Sequence, residues 1–268
     1  MQVNLEYTRN STRQLLKPYL EISRFSDKKL GETIIQNGVI LPGSPDLFGY
    51  GGIIDQNNNW VEAGAWHEGF GGPYPFDKDT IEHSDETVIY IGYLHIQWGH
   101  NITDNFKKLW FLFTDKYKEL ESQGVRVVYV SMYNKDLPEF VLKTFRCAGI
   151  DTSKICHITK PTQFKNIIIP DNSLVSTKDG RIYTKEYIEI IERIKNSVNI
   201  IFKDSSIKTY DKLYFTRAQI PNNHRDYGEK EIEQLFEEMG YAIIAPEKIE
   251  TLEQIYLLMN WKYFAANE

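Results

Sequence analysis

The chain has 268 residues, 41% hydrophobic and 25% charged, which is enough for one large domain or two modest ones, each with its own core. Its net charge of -6 leaves no basic stripe, so no nucleic-acid partner is expected. Two cysteines, Cys147 and Cys156, exclude a disulfide framework and a cysteine zinc site, and no stretch approaches the roughly 18 apolar residues of a membrane span.

Residues 1 to 30 read as a helical or irregular lead-in without the apolar core of a signal peptide. Together with the cysteine usage this points to a soluble chain of the reducing cytoplasm, with peripheral association to a membrane left open. From 33 to 92 the chain is strand-like and turn-rich. TIIQNGVILP (33–42), GYGGIIDQNNNWVEAGAW (49–66) and ETVIYIGYL (86–94) carry β-branched and aromatic residues between Gly, Asn and Pro punctuation. The clusters GYGG (49–52) and GFGG (69–72) lack the spacing of a phosphate loop and read as turns. Aromatics reach 13%, a level that serves either large aromatic cores or planar stacking surfaces.

After residue 100 the rhythm changes. A helix is predicted over 103–122, then strand RVVYVSM (126–132), helix PEFVLKTFRCAG (138–149) and strands KICHI and FKNIIIP. Strand alternating with helix implies crossovers and a mostly parallel sheet. The polar stretch PDNSLVSTKDGR (170–181) reads as a boundary, which gives domains of 1–175 and 176–268. The second opens with an amphipathic helix carrying Tyr187, Ile190, Ile191 and Ile194, followed by a β-α-β-α-β series from KLYFTR to KYFAA. That series is half of a doubly wound nucleotide-binding domain. It stops right after a strand, so this domain is expected to be truncated.

Two places have the chemistry of a site. KLYFTR ends in Arg217 at the carboxyl edge of a predicted strand, where ligands of open α/β sheets collect. A guanidinium pairs with phosphate through a planar fork. His224 and Arg225 follow in the loop, and the helix starting near Gly228 offers unpaired backbone N–H groups. Together they suit a diphosphate; the alternative is a surface arginine paired with Glu229 or Glu231. Glu229 itself, in the first helical turn, suits either the helix dipole or a ligand.

The second place is WGHNITD (98–104), after strand TVIYIGYL. His100 and Asp104 stand four apart, so a helical path puts both side chains on one face, above an apolar stripe of Ile102, Phe106, Leu109, Trp110 and Phe113. A carboxylate beside an imidazole can deprotonate a hydroxyl. Capping by Asp104 and a core hydrogen bond from His100 are the structural alternatives. The spacing of His95, His100 and Asp104 is not that of a zinc site, and neither a metal nor a cofactor is expected.

The run VIYIGYLHIQWGHNITDNFKKLWF, joined to KLYFTR, GEKEIEQLFEEMGY and PEKIETLEQIYLL, resembles glycosyltransferase family 61, and is most similar to the bacterial members associated with capsular and other surface polysaccharides. The resemblance covers about residues 85–268. It implies an α/β fold of the GT-B kind, two Rossmann-like domains facing a cleft. It also implies inverting transfer of a sugar from a nucleotide-sugar donor to a hydroxyl of a glycan or lipid-linked glycan acceptor. By position, His100 and Asp104 match the family's histidine and acidic residue. Asp104 is then the candidate base, with His100 orienting it or exchanging roles with it. Arg217, Arg225, Gly228 and Glu229 fall on the donor side. The chain departs from the pattern at Lys108, where related sequences tend to carry arginine, and in ending before a small-residue and histidine segment of the donor pocket. A non-catalytic carbohydrate- or nucleotide-binding remnant is the alternative.

Overall fold

In the computed structural model, which describes residues 24–66, 70–177, 180–220 and 228–266, the chain is a mixed α/β protein. Contacts divide it into two compact units, residues 1–138 with 151–190, and 139–150 with 191–268.

The first unit is built on a six-stranded mixed sheet. In chain order its strands are β1 (Glu32–Leu41), β2 (Gly52–Ile54), β3 (Glu82–Leu94), β4 (Arg126–Ser131), β5 (Ile155–His157) and β6 (Thr162–Pro170). Their spatial order is β2-β1-β6-β3-β4-β5. The neighbours from β6 to β5 are parallel, as the strand-helix alternation predicts, whereas β1 runs antiparallel to both β6 and β2. The core follows from composition. Val88, Tyr90, Val128, Phe164 and Ile167 are buried at the centre, and each such side chain contributes about 1.5–3 kcal/mol by leaving water. The near-continuous apolar run of β3 from Val88 to Leu94 is what a strand covered on both faces requires.

Between β3 and β4 the predicted single helix does not form. A short helix α1 (Trp98–Asn101) gives way to turns over 102–108 and a 3-10 segment at Leu109–Phe113; helix α2 (Asp115–Ser122) then starts afresh. Two local causes are visible. Thr114 is an N-cap, its hydroxyl accepting from Tyr117 N at 3.1 Å, so a helix begins there instead of passing through. Upstream, Asn105 is buried and holds the backbone of His95 at both its N–H (2.7 Å) and its carbonyl (2.9 Å), which pins the turn to the end of β3. Phe106 and Leu109 of the expected stripe are buried and Phe111 joins them, while Ile102, Trp110 and Phe113 are only partly covered.

Lys108 is the other anchor. Its Nζ donates to Pro170 O at 2.5 Å, at the end of β6. Gly92, at φ 119° in the bulged part of β3, holds a backbone conformation open to glycine, and the Lys108 side chain lies beside it. The stretch 170–181 is not open loop, since β7 (Leu174–Thr177) pairs antiparallel with β8 (Gly180–Tyr183).

Helix α3 (Glu139–Ala148) belongs to the second unit, as does α4 (Lys185–Phe202) beyond Ile190. The buried stripe of α4 is Tyr187, Ile190, Ile194 and Val198; Ile191 is only partly covered. Three parallel strands follow in the order β10-β9-β11, namely β9 (Lys212–Phe215), β10 (Ala242–Ile244) and β11 (Tyr263–Ala266). Helices α5 (Glu229–Glu238) and α6 (Thr251–Met259) connect them. This is the β-α-β-α-β series read from the sequence. None of the helices among the described residues is long and apolar enough to cross a membrane.

Candidate functional site

The carboxyl ends of the parallel strands of the first unit hold one cluster. His100, in α1, and Asp104, in the turn after it, meet because the backbone stays locally helical: Asp104 N donates to His100 O at 2.7 Å. Their side chains form a 2.6 Å contact between His100 Nδ1 and Asp104 Oδ2. An ionised carboxylate only accepts hydrogen bonds, so Nδ1 carries the proton, and in the neutral imidazole Nε2 presents a lone pair. The two residues differ sharply in access. The Asp104 side chain is 0% exposed and that of His100 is 31% exposed.

Lys107, which the sequence reading passed over, completes the cluster. Its Nζ lies 3.0 Å from Asp104 Oδ1 and donates to Trp66 O at 3.2 Å. Burial pushes the Lys107 ammonium below the usual lysine range, and Asp104 opposes that shift. An ammonium at this distance favours the charged form of the carboxylate. The signal for it was the i, i+3 spacing from Asp104 to Lys107. Tyr187 closes the other side, its hydroxyl donating to the carbonyls of Ile102 (3.3 Å) and Thr103 (3.2 Å). Burial drives its phenol far above the usual range.

Rings surround this cluster. His95 is buried, with its ring 4.1 Å from Trp66 and 4.5 Å from His100 between centroids; Trp66 also stands edge-on to His100 at 5.0 Å. No sequence spacing announces Trp66, because it lies in the connection between the edge strand β2 and β3, some thirty residues before His100.

The second unit holds the other predicted residues. Arg217 lies two residues past the end of β9 and, with Gly228, Lys230 and Glu231, lines a pocket of about 240 Å³ at the start of α5. Gly228 is the N-cap of α5 at φ 76°, a conformation open to glycine. Glu229 also lines the pocket, but it is only 5% exposed and its Oε1 accepts from Tyr214 Oη (2.7 Å), Thr216 Oγ1 (3.2 Å) and Arg217 N (3.0 Å). It ties the end of β9 to the start of α5 and sets the backbone from which Arg217 projects. Tyr214 and Thr216 gave no signal in sequence beyond strand alternation. Arg225 and His224 lie outside the described residues.

The pocket is smaller than the roughly 300 Å³ at which drug-sized ligand sites begin, so it matches a phosphate or diphosphate group better than a whole nucleotide. A guanidinium beside a helix N-terminus supplies donors for such an anion. Among the described residues there is no group of three His, Cys, Asp or Glu side chains suited to a metal ion. Comparison of the chain with protein-family models, with curated proteins and with solved structures found no match in any of the three.

Proposed function

We propose that this protein is an inverting glycosyltransferase that moves a sugar from a nucleotide-sugar donor to a hydroxyl of a growing capsular or other surface glycan. The observation that carries the reading is the His100–Asp104 pair, a buried carboxylate holding a half-open imidazole by Nδ1. The sequence resemblance to glycosyltransferase family 61 supports the same reading, and a GT-B pairing of the two units is part of it.

The geometry favours the exchanged roles over Asp104 as base. Asp104 is sealed from solvent and orients His100, whose Nε2 takes the proton of the acceptor hydroxyl. The acceptor oxygen then bonds to the anomeric carbon as the bond from that carbon to the diphosphate oxygen breaks on the opposite face. The electron pair leaves with the diphosphate, which Arg217 and the backbone N–H groups at the start of α5 stabilise. Glu229 acts through Arg217 as a positioning residue.

Calorimetric titration with nucleoside diphosphates and their sugars tests the donor half. Wild-type binding that is lost in Arg217→Ala supports the transferase. Absence of binding to every nucleotide in the panel rules the activity out for this chain and leaves a carbohydrate-binding remnant.

A further inference from the structure

The aromatic cluster around His100 includes one ring that the core does not use. Phe70 is 43% exposed, yet it is held in place. It meets Trp66 at 5.0 Å and 87°, and Phe48 at 5.7 Å and 70°. Gly49, at φ 80°, leaves the space the ring occupies, since a Cβ there would meet Phe70 Cε1 at 2.5 Å. An exposed phenyl ring normally turns freely and buries what it can; this one is wedged with its surface still open to solvent.

The surrounding loops are tied to the same place. Tyr93 Oη, near the end of β3, accepts from Gly49 N at 3.3 Å. Tyr133 has φ 56°, a conformation rarely adopted by a bulky residue, and its ring lies 6.2 Å from Phe48. Such strain persists only where the surroundings over-determine it, and it concentrates at ligand sites. Phe70 and His100 each stand one 5.0 Å ring contact from Trp66, so both belong to one aromatic cluster.

We infer that Phe70 is the stacking platform of the acceptor subsite and takes the C–H face of a pyranose ring. An aromatic face is electron-rich and a sugar's ring hydrogens are electron-poor, so the two attract without a charged partner. The hydroxyls at the rim of the stacked sugar stay in water except the one presented to His100. This inference rests on the reading of His100 as the base, and it names the acceptor class as a pyranose with one flat apolar face.

Saturation-transfer NMR on the full chain tests it, with methyl β-glucoside, methyl β-galactoside and N-acetylglucosamine as probes. The expected result is saturation of ring C–H protons by wild type, with binding roughly five- to ten-fold weaker in Phe70→Ala and restored in Phe70→Trp. Equal saturation in wild type and Phe70→Ala, or none from wild type with any of the three sugars, overturns the platform. If nucleotide binding that depends on Arg217 persists in that case, the transferase reading stands without it. Phe70-dependent sugar contact with no nucleotide binding supports the platform and removes the transferase.

Discussion

His100 and Asp104 do different jobs, and substitution separates them. Asp104→Ala leaves the Lys107 ammonium buried beside a missing partner, a loss expected to cost about 3 kcal/mol in urea unfolding. His100→Gln removes a half-exposed ring, so its unfolding midpoint stays close to wild type while transfer falls by roughly 100-fold or more. A His100→Gln variant that transferred at the wild-type rate would end the base assignment. Glu229→Ala strands three donors at the β9–α5 junction and is expected to lose about 2–3 kcal/mol, read from thermal unfolding. The i, i+4 spacing was enough to pair His100 with Asp104. It could not say which of them water reaches, because exposure is set also by Trp66 and Tyr187, which arrive from other segments.

At the scale of elements, the strands and the later helices were legible, and the 98–122 region was not. Apolar periodicity ran through it as if one helix were present. The interruption comes from Asn105, which holds the backbone of His95 ten residues back, and from the long-range anchor of Lys108 on Pro170, neither of which apolar periodicity encodes. The cap at Thr114 was readable in principle, since a Thr before Asp115 is a helix start. Thr114→Ala should cost about 1 kcal/mol, seen as a lower urea midpoint, and the effect should be matched by faster amide exchange in α2. Within the second unit the β-α-β-α-β reading needed no tertiary help, because parallel strands joined by amphipathic helices announce themselves through period and length.

For the molecule as a whole, pH is the lever. Burial pushes Lys108 down to about 7 and depresses Lys107 as well. The unfolded chain keeps these protons up to the ordinary lysine range, so between pH 7 and 9 it binds more protons than the folded chain and stability rises with pH. Urea midpoints followed by tryptophan fluorescence should therefore increase from pH 7 to 9, and Lys108→Met should flatten the increase. Four of the five tryptophans, Trp60, Trp66, Trp98 and Trp110, lie in the first unit, so the signal reports mainly on the unit that holds both lysines. Nothing in the sequence marked the two lysines as buried; consecutive lysines ordinarily face water. The α/β class, the strand-helix alternation and the pairing of His100 with Asp104 were determined by sequence alone, because each depends on spacing along a single segment. The mixed pairing of β1, the break at 102–108, the burial of Asp104 with Lys107 and the aromatic wall beside His100 were decided only by tertiary structure. In each of those cases some of the deciding atoms come from residues distant in the chain, and only folding brings them within contact.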